Sequence, residues 1–249
     1  MNTLLIDVGN TRAHSALAEC GTLGARADWP ADRPDLVLAR LRPALNSAAP
    51  AGIWVASVRP SADAPLAETL RAAGWPAPRF LGRDLPVPIP NRTREPEAVG
   101  VDRLCLALGS RRRVPDGASI ACGIGTAITI NVVSPDGAFL GGAIAPGLPA
   151  SVRALHLVAE KLPEVPLAAP ASVLGRTTLE ALQAGIVLGA AGALEALLSR
   201  TLNELGSPAR IFASGGDAAL LAPFVPRIDE VVPDLLFEGM LSALEASGR

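Results

Sequence analysis

The stretch LLIDVGNTRAHSA, residues 4–16, decides the predicted fold because a glycine turn joins two short apolar segments in it. Residues 3–8 predict a buried strand, and residues 12–18 predict the strand that pairs with it across the Gly-Asn turn. Asp7 lies near the end of the first strand, where burial makes an isolated carboxylate costly. We therefore expect a cationic group to come to Asp7. The alternative is a plain hairpin turn with an incidental acid at the strand edge.

The chemistry of this turn suits a phosphate group. Glycine has no Cβ, so Gly9 lets backbone N–H groups come close to phosphate oxygens. A neighbouring carboxylate such as Asp7 can hold Mg²⁺, directly or through water, because hard cations take oxygen ligands. Together these residues predict a site for phosphate and its metal ion.

A second glycine turn repeats the pattern near the middle of the chain. Residues 118–147, ASIACGIGTAITINVVSPDGAFLGGAIAPG, predict an apolar strand, a turn at Gly125 and Thr126, a second strand and a further hairpin. Alone, this turn is an ordinary hairpin; with the first, it is a second contact for the phosphates. Because the two turns lie about half the chain apart, we predict two related halves, residues 1–113 and 114–249.

Sheet and helix alternate along the rest of the chain, which indicates the α/β class. The 52–60 segment predicts a strand ending in a turn, the 209–214 segment predicts another strand, and the proline-rich 83–99 segment predicts a loop. Apolar residues at helical spacing predict helices over 32–45, 65–74, 100–113 and 177–206. Thr177 and Glu180 form a capping box for the last of these.

Composition excludes several classes of protein. Of 249 residues, 49% are hydrophobic and 18% are charged, so a large core can form. The net charge of −2 gives no electrostatic footprint for nucleic acid or an anionic membrane. We expect no membrane span, no targeting segment and a cytoplasmic location. The three cysteines, Cys20, Cys105 and Cys122, form no C-x-x-C pair, so neither a disulfide nor a zinc site is expected.

Several ligand-binding motifs are missing from the sequence. A Walker A loop needs a lysine, and the only lysine, Lys161, lies in no such motif. No G-x-G-x-x-G opens a helix, so dinucleotide chemistry is unsupported. The two histidines, His14 and His156, lack the spacing of paired metal ligands.

Asp102 and Arg103 open the helix that leaves the proline-rich loop. Asp102 could accept a proton from an attacking hydroxyl, and Arg103 could bind an anionic substrate group through two parallel hydrogen bonds. The alternative is an acid placed only to complement the helix macrodipole. Thr178, which the capping box does not need, could donate to a ligand. The SGGDA stretch, residues 214–218, either contacts adenine or ribose or forms an ordinary strand-to-helix connection.

In this order and spacing, the motifs resemble those of the type III pantothenate kinases, relatives of Bvg accessory factor-type proteins in the actin–hexokinase-like ATPase superfamily. The resemblance covers almost the whole chain. It rests on DVGNT at 7–11, ASVRP at 56–60, EPEAVGVDR at 95–103, GTAIT at 125–129, DGAFLGGAIAPG at 136–147, GRTTLEALQAGI at 175–186 and SGGDA at 214–218. It implies two ribonuclease-H-like halves with a cleft between them. It also implies a homodimer with the substrate pocket near the subunit interface.

The resemblance implies a role for each matched residue. The first phosphate loop, which binds ATP, would comprise Asp7, Val8, Gly9, Asn10, Thr11, Arg12, Ala13 and His14, with Asp7 at Mg²⁺. Thr126 would also contact ATP. Pantothenate would be bound by Gly100, Val101, Asp102, Arg103 and Thr178, with Asp102 as the proton acceptor. Phosphoryl transfer mainly requires alignment and charge neutralisation, so a carboxylate of ordinary pKa can serve as this base.

Three positions depart from the family pattern. Gly123 stands where relatives usually carry an aspartate, and Asn131 stands where a second aspartate is common. The first of these acids is associated with the K⁺ or NH₄⁺ that the family needs. In this chain the cation is held by carbonyl groups and Asn131, or it is dispensable, or catalysis is weak. Thr93 takes approximately the place of a substrate-loop tyrosine, so contacts to pantothenate are expected to differ.

The expected function is ATP-dependent phosphorylation of pantothenate to 4'-phosphopantothenate, the first step of coenzyme A biosynthesis. One alternative is a catalytically impaired homologue that binds ligand as an accessory or regulatory protein, which Gly123 and Asn131 motivate. The other is a sugar kinase of the same superfamily. The expected partners are ATP, pantothenate and a second copy of the chain, with no nucleic acid and no membrane.

Overall fold

The predicted hairpins supply the central strands of two five-stranded sheets. The computed structural model describes residues 2–19, 21–43, 45 and 49–248. The strands are β1 Asn2–Val8, β2 Arg12–Glu19, β3 Thr22–Pro30, β4 Gly52–Ser57, β5 Arg79–Phe80, β6 Ala118–Ile124, β7 Ala127–Val133, β8 Phe139–Pro146, β9 Ala209–Ser214 and β10 Glu230–Val231. The helices are α1 Leu36–Leu41, α2 Pro60–Ala72, α3 Val101–Arg113, α4 Leu148–Val158, α5 Thr178–Leu205, α6 Ala218–Leu221 and α7 Leu235–Ala246.

The first sheet has the order β3-β2-β1-β4-β5. Its strand β1 pairs antiparallel with β2, which confirms the predicted hairpin, and parallel with β4. Because β1 lies between two strands and under helices, its apolar run Leu4, Leu5 and Ile6 is fully buried. Strand β3 was not predicted from the sequence. It is an edge strand on which Trp29 is the one buried side chain, so its hydrophobic pattern is weak.

The second sheet has the same connectivity, with the order β10-β9-β6-β7-β8. Here β6 takes the place of β1: it pairs antiparallel with β7 and parallel with β9. The predicted hairpin through the Pro-Asp-Gly turn is confirmed by the antiparallel pairing of β7 with β8. The repeated strand pattern of the sequence is therefore a repeated sheet in the structure.

Each sheet has a hydrophobic core of its own. In the first, side chains of β1 and β4 pack with those of α1 and α2, including Val37, Leu41, Leu66 and Leu70. In the second, Ile120 and Ile130 of the sheet pack with the buried face of α5. Two separately packed sheet-and-helix layers confirm the predicted α/β class.

The chain divides into two compact units. The first unit comprises Met1–Ile89, Glu95–Arg112 and Leu235–Arg249, and the second comprises Pro90–Arg94 and Arg113–Asp234. The observed units differ from the predicted halves, residues 1–113 and 114–249, because α7 belongs to the first unit. The reason is close backbone packing: a Cβ on Gly239 of α7 would lie 1.9 Å from the carbonyl oxygen of Cys105 in α3.

Two predicted helices differ from the observed ones in length. Helix α1 spans only Leu36–Leu41 of the predicted 32–45, a range that includes Ala44, which lies outside the described residues. Prolines at both ends of this range explain the short helix, because proline lacks the N–H that a helix needs. Helix α2 begins earlier than predicted, at Pro60, where proline suits the first helical position.

Helix α5 is 28 residues long and, by length and composition, apolar enough to cross a membrane. A core helix of a soluble protein has the same composition, and α5 buries Ile186, Val187, Leu194 and Leu198 against the second sheet. The expectation of no membrane partner therefore stays a prediction, and the apolar exposed face of α5 needs a separate explanation.

Candidate active site at two glycine turns

The first glycine turn joins β1 to β2 and is fixed by backbone hydrogen bonds. The N–H of Gly9 donates to the carbonyl of Arg12 at 3.0 Å, and the N–H of Ala31 donates to the carbonyl of Thr11 at 3.0 Å. A Cβ on Gly9 would approach the Arg12 carbonyl oxygen to 3.1 Å, so a larger residue would press on the turn. Asn10 and Thr11 are exposed, which leaves the turn open to a ligand.

Asp7 lies at the end of β1 with His14 on one neighbouring strand and Ala56 on the other. Although part of Asp7 is exposed, burial raises its pKa to about 8, and the nearby Asp102 contributes to the rise. Among the described residues, no basic side chain forms an ion pair with Asp7. The described protein residues therefore supply no cation to Asp7, and Mg²⁺ as the cation at Asp7 stays a prediction.

Asp102 lies in the first turn of α3, and its Oδ1 accepts the backbone N–H of Arg103 at 2.8 Å. Burial raises the pKa of Asp102, while this hydrogen bond and the Arg103 guanidinium oppose the rise. Gly100 makes room for the carboxylate, because a Cβ there would lie 2.5 Å from Asp102 Oδ1. Although Asp102 is far from Asp7 in sequence, it lies close enough to raise the pKa of Asp7.

Burial shifts the pKa of three neighbours of these acids in the direction that favours the neutral form. Burial lowers the pKa of His14, and the Arg12 guanidinium lowers it further. Burial raises the pKa of the Cys105 thiol well above its usual value, and the charges of Asp7 and Asp102 add to the rise. Cys105 is therefore a buried thiol rather than a nucleophile. Burial lowers the pKa of Arg103, which Asp102 partly offsets.

The second glycine turn joins β6 to β7 in the second unit. The N–H of Gly125 donates to the carbonyl of Ala127 at 3.0 Å, and the N–H of Gly147 donates to the carbonyl of Thr126 at 3.1 Å. A Cβ on Gly147 would lie 1.9 Å from the Gly125 carbonyl oxygen, so only glycine fits there. Thr126 is exposed at the end of this turn.

The SGGDA loop lies against the same end of β6. Gly215 has φ +108, and a Cβ there would lie 2.3 Å from the carbonyl oxygen of Ile124. The N–H of Asp217 donates to that carbonyl at 3.2 Å, and burial raises the pKa of the Asp217 carboxyl. The loop and the second turn therefore form one surface within the second unit.

Gly123 and Asn131 have no acidic chemistry to offer. Gly123 pairs with Thr129 on one neighbouring strand and Ser214 on the other. Asn131 is fully buried, and its Nδ2 donates to the Ala121 carbonyl at 3.0 Å and to Thr129 Oγ1 at 3.1 Å. The amide of Asn131 is thus part of the sheet's internal hydrogen bonding.

Thr177 caps α5, as predicted, because its Oγ1 accepts the N–H of Glu180 at 3.2 Å. The return bond differs from the usual capping box: Glu180 Oε2 accepts the N–H of Arg176 at 2.7 Å. Thr178 is exposed on the first turn of α5. It belongs to the second unit, whereas Gly100, Val101, Asp102 and Arg103 belong to the first.

The end of β4 was not singled out as part of the site, although ASVRP marks it in the sequence. The N–H of Val58 donates to the carbonyl of Val8 at 3.0 Å, and Arg59 Nη1 donates to the carbonyl of Asn10 at 2.8 Å. A Cβ on Gly100 would lie 3.4 Å from Val58 Cγ1. This segment therefore touches both the first turn and the start of the Asp102 helix.

Residues 3–200 match the family model described as type III pantothenate kinase. The chain belongs to the type III pantothenate kinase family. A relative named type III pantothenate kinase, from Thermomicrobium roseum, is 36% identical over 99% of this chain and 98% of its own. Another of that name, from Hyphomonas neptunium, is 34% identical over 96% of each chain.

Solved structures agree on the fold. A crystal structure from Campylobacter jejuni, named for the Baf family of transcriptional activators, has a TM-score of 0.62 at 19% identity and covers 98% of each chain. A ROK family glucokinase from Streptomyces griseus has a TM-score of 0.51 at 12% identity over 99% of each chain. At these identities the likeness establishes the fold alone.

Proposed function

We propose that this protein transfers the γ-phosphoryl group of ATP to the primary hydroxyl of pantothenate, giving 4'-phosphopantothenate in the first step of coenzyme A biosynthesis. The observation that supports this most directly is the pair of partly buried acids, Asp7 and Asp102, beside an open glycine turn in a member of this kinase family. The pair has the two functions a kinase needs from carboxylates, which are to hold a metal and to accept a proton.

The first unit would bind the reacting groups. The turn at Gly9, Asn10 and Thr11 offers backbone N–H groups to phosphate oxygens. Asp102 would accept the proton of the attacking hydroxyl, and its raised pKa brings its basicity closer to neutral pH than that of an ordinary aspartate. Arg103 would bind the carboxylate of pantothenate, because a guanidinium matches that group through two parallel hydrogen bonds.

The residues of the first unit fit Mg²⁺. The Asp102 carboxylate raises the pKa of Asp7, and a divalent cation would relieve that repulsion; Mg²⁺ is commonly bound by one or two carboxylates together with substrate phosphates. Asp7 would hold the ion. When bound, Mg²⁺ neutralises charge on the phosphate oxygens.

The second unit would bind the nucleotide through its own loops. Thr126, exposed at the second turn, would contact ATP, and the SGGDA loop beside it would lie against the adenosine. Thr178 would donate a hydrogen bond to pantothenate. Gly147 and Gly215 support the assignment of the nucleotide to these loops. At both positions the absence of a Cβ lets the loop backbone pack against the residues at the end of β6.

Turnover in this chain would need no added K⁺ or NH₄⁺. Gly123 carries no acid, and the amide of Asn131 already donates to two oxygens inside the sheet. A neutral amide lacks the charge of a carboxylate, so neither position offers a charged ligand to the cation. Initial rates with K⁺, with NH₄⁺ and with neither test the proposal, and a more than tenfold activation by K⁺ would contradict it.

The protein would act as a cytoplasmic homodimer that associates through α4 and α5. Leu157, Val158, Val173 and Leu174 are 71–81% exposed in this part of the second unit. A cavity of about 370 Å³ between α4, α5 and the second sheet is lined by apolar side chains such as Leu155 and Leu182. Exposed apolar side chains and an apolar cavity in one part of a unit are typical of a subunit interface.

Light scattering on the purified protein tests the dimer. Leu157→Glu is expected to give a monomer, because a charge would be buried in the interface. Ala25→Glu adds the same charge at an exposed position of β3 and is expected to leave the mass unchanged. A parent protein that is monomeric at micromolar concentration would contradict the assignment.

An assay with Mg-ATP and pantothenate tests the function itself, with phosphopantothenate identified by mass. The expected result is stoichiometric product and ADP. Binding of ATP without turnover would favour the accessory role that Gly123 and Asn131 suggest. Turnover of a hexose in place of pantothenate would favour the sugar-kinase alternative.

A further inference from the structure

Arg59 links the end of β4 to the apex of the first glycine turn. Its Nη1 donates to the carbonyl of Asn10 at 2.8 Å, across a sequence separation of 49 residues. Asn10 is the exposed residue at the centre of the turn. A hydrogen bond from a charged donor to this carbonyl restrains the turn at its apex, where the backbone bonds of the turn described above do not reach the Asn10 carbonyl.

Arg59 is itself held from behind by a buried network. Its backbone N–H donates to Ser57 Oγ at 3.3 Å, and Ser57 Oγ donates to Asp63 Oδ1 at 2.5 Å. Asp63 is buried, and its other oxygen accepts Arg83 Nη2 at 2.7 Å. A buried carboxylate with a partner on each oxygen is a rigid support, because breaking either bond leaves desolvated polar atoms.

The charge of Arg59 is available where a polyphosphate would bind. In the part of the chain that the structure describes, no carboxylate forms an ion pair with Arg59. By contrast, Arg12 on the same turn is paired with Asp28, and Arg83 is paired with Asp63. A chain with a single lysine, Lys161 in the second unit, has to use arginine for this purpose.

We propose that Arg59 is a positioning residue of the phosphate site. Its guanidinium holds the Gly9–Thr11 turn in the shape that binds the triphosphate, and it keeps an uncompensated positive charge beside that turn. The inference rests on the proposed function only in taking the turn to bind ATP; it does not depend on pantothenate being the acceptor.

Calorimetric titration with Mg-ATP and, separately, with adenosine tests this role in the full-length protein. Arg59→Met is expected to raise the Kd for Mg-ATP at least ~10-fold while the Kd for adenosine changes less than ~2-fold, because only the phosphates lose a partner. Arg59→Lys keeps the charge and a donor, and is expected to lose less than ~3-fold. In turnover, KM for ATP should rise while KM for pantothenate stays constant.

Arg33→Met is the matched control, since Arg33 is an exposed arginine of the first unit whose partner is Asp35. It should bind Mg-ATP as the parent does. The proposal is overturned if Arg59→Met binds Mg-ATP within ~2-fold of the parent, or if it loses adenosine and ATP to the same extent. A parent that binds Mg-ATP without phosphorylating pantothenate contradicts the proposed function instead, and leaves the Arg59 comparison valid.

Discussion

The two glycine turns occupy the same place in two sheets of the same connectivity, but the charged residues beside them differ. In the first unit, Asp7 lies two residues before Gly9, and the helix after the next parallel strand begins at the basic cap residue Arg59. In the second unit, the corresponding positions are Gly123 before its turn and the acidic cap residue Asp217. Duplicated backbone therefore carries different chemistry in each copy.

Only the first unit has a destabilising carboxylate at the position two residues before its glycine turn. Burial raises the pKa of Asp7 to about 8, so the first unit is destabilised by a carboxylate that it does not pair with an internal base. The second unit avoids this cost at Gly123. A desolvated acid that is retained in only one of two similar folds indicates chemistry rather than packing.

Asp102→Asn should have the largest effect, because it removes the proposed proton acceptor of the first unit. We expect kcat to fall at least ~10²-fold, since the amide cannot accept the proton of the attacking hydroxyl, with little change in ATP binding. Steady-state kinetics with a parallel ATP titration measure both quantities. An Asp102→Asn enzyme as active as the parent would show that the base is another group.

Gly215→Ala tests how far the surface formed by the SGGDA loop and the second glycine turn depends on close backbone packing. The added Cβ would meet the Ile124 carbonyl at 2.3 Å, in a backbone with φ +108. We expect unfolding free energy to fall by about 2 kcal/mol and KM for ATP to rise. Gly216→Ala is the control, because a Cβ there meets nothing within 4 Å. Equal stability of the two variants by urea unfolding would show that the loop relaxes freely.

Much of the fold and of the candidate site follows from the sequence, and the rest depends on contacts between residues far apart in the chain. The hairpins at Gly9 and Gly125 have a strong local pattern and were predicted correctly. The pairing of α7 with α3 was not, because it depends on Gly239 meeting the Cys105 carbonyl, which no local pattern records. The coupling of Asp7 to Asp102 likewise appears only when β1 and α3 come together.

Asp7→Asn should weaken the use of Mg²⁺, because the amide oxygen is a poorer ligand than a carboxylate. We expect the Mg²⁺ concentration for half-maximal activity to rise ~10-fold. Asp217→Asn is the control from the other unit. Burial raises the pKa of Asp217 as it does that of Asp7, but no neighbouring carboxylate contributes to the rise at Asp217. A similar shift in both variants would mean that the metal is not specific to the first turn.

The smallest expected effect is on the free energy of unfolding. It separates the destabilisation that Asp7 causes from the proposed role of Asp7 in binding Mg²⁺. The Asp7 pKa is about 8 in the folded chain, against 3.8 for an unperturbed aspartate, so between these pH values the folded state holds one more proton than the unfolded state. Stability of the metal-free parent should therefore fall as pH rises through this window. Asp7→Asn lacks this slope, and at pH 8 in chelator it should be more stable than the parent by at least ~1 kcal/mol. Urea unfolding at pH 5 and pH 8 measures the difference. If the gap between the variant and the parent does not widen with pH, then Asp7 is already ionised in the folded chain and a cationic group not identified above is paired with it.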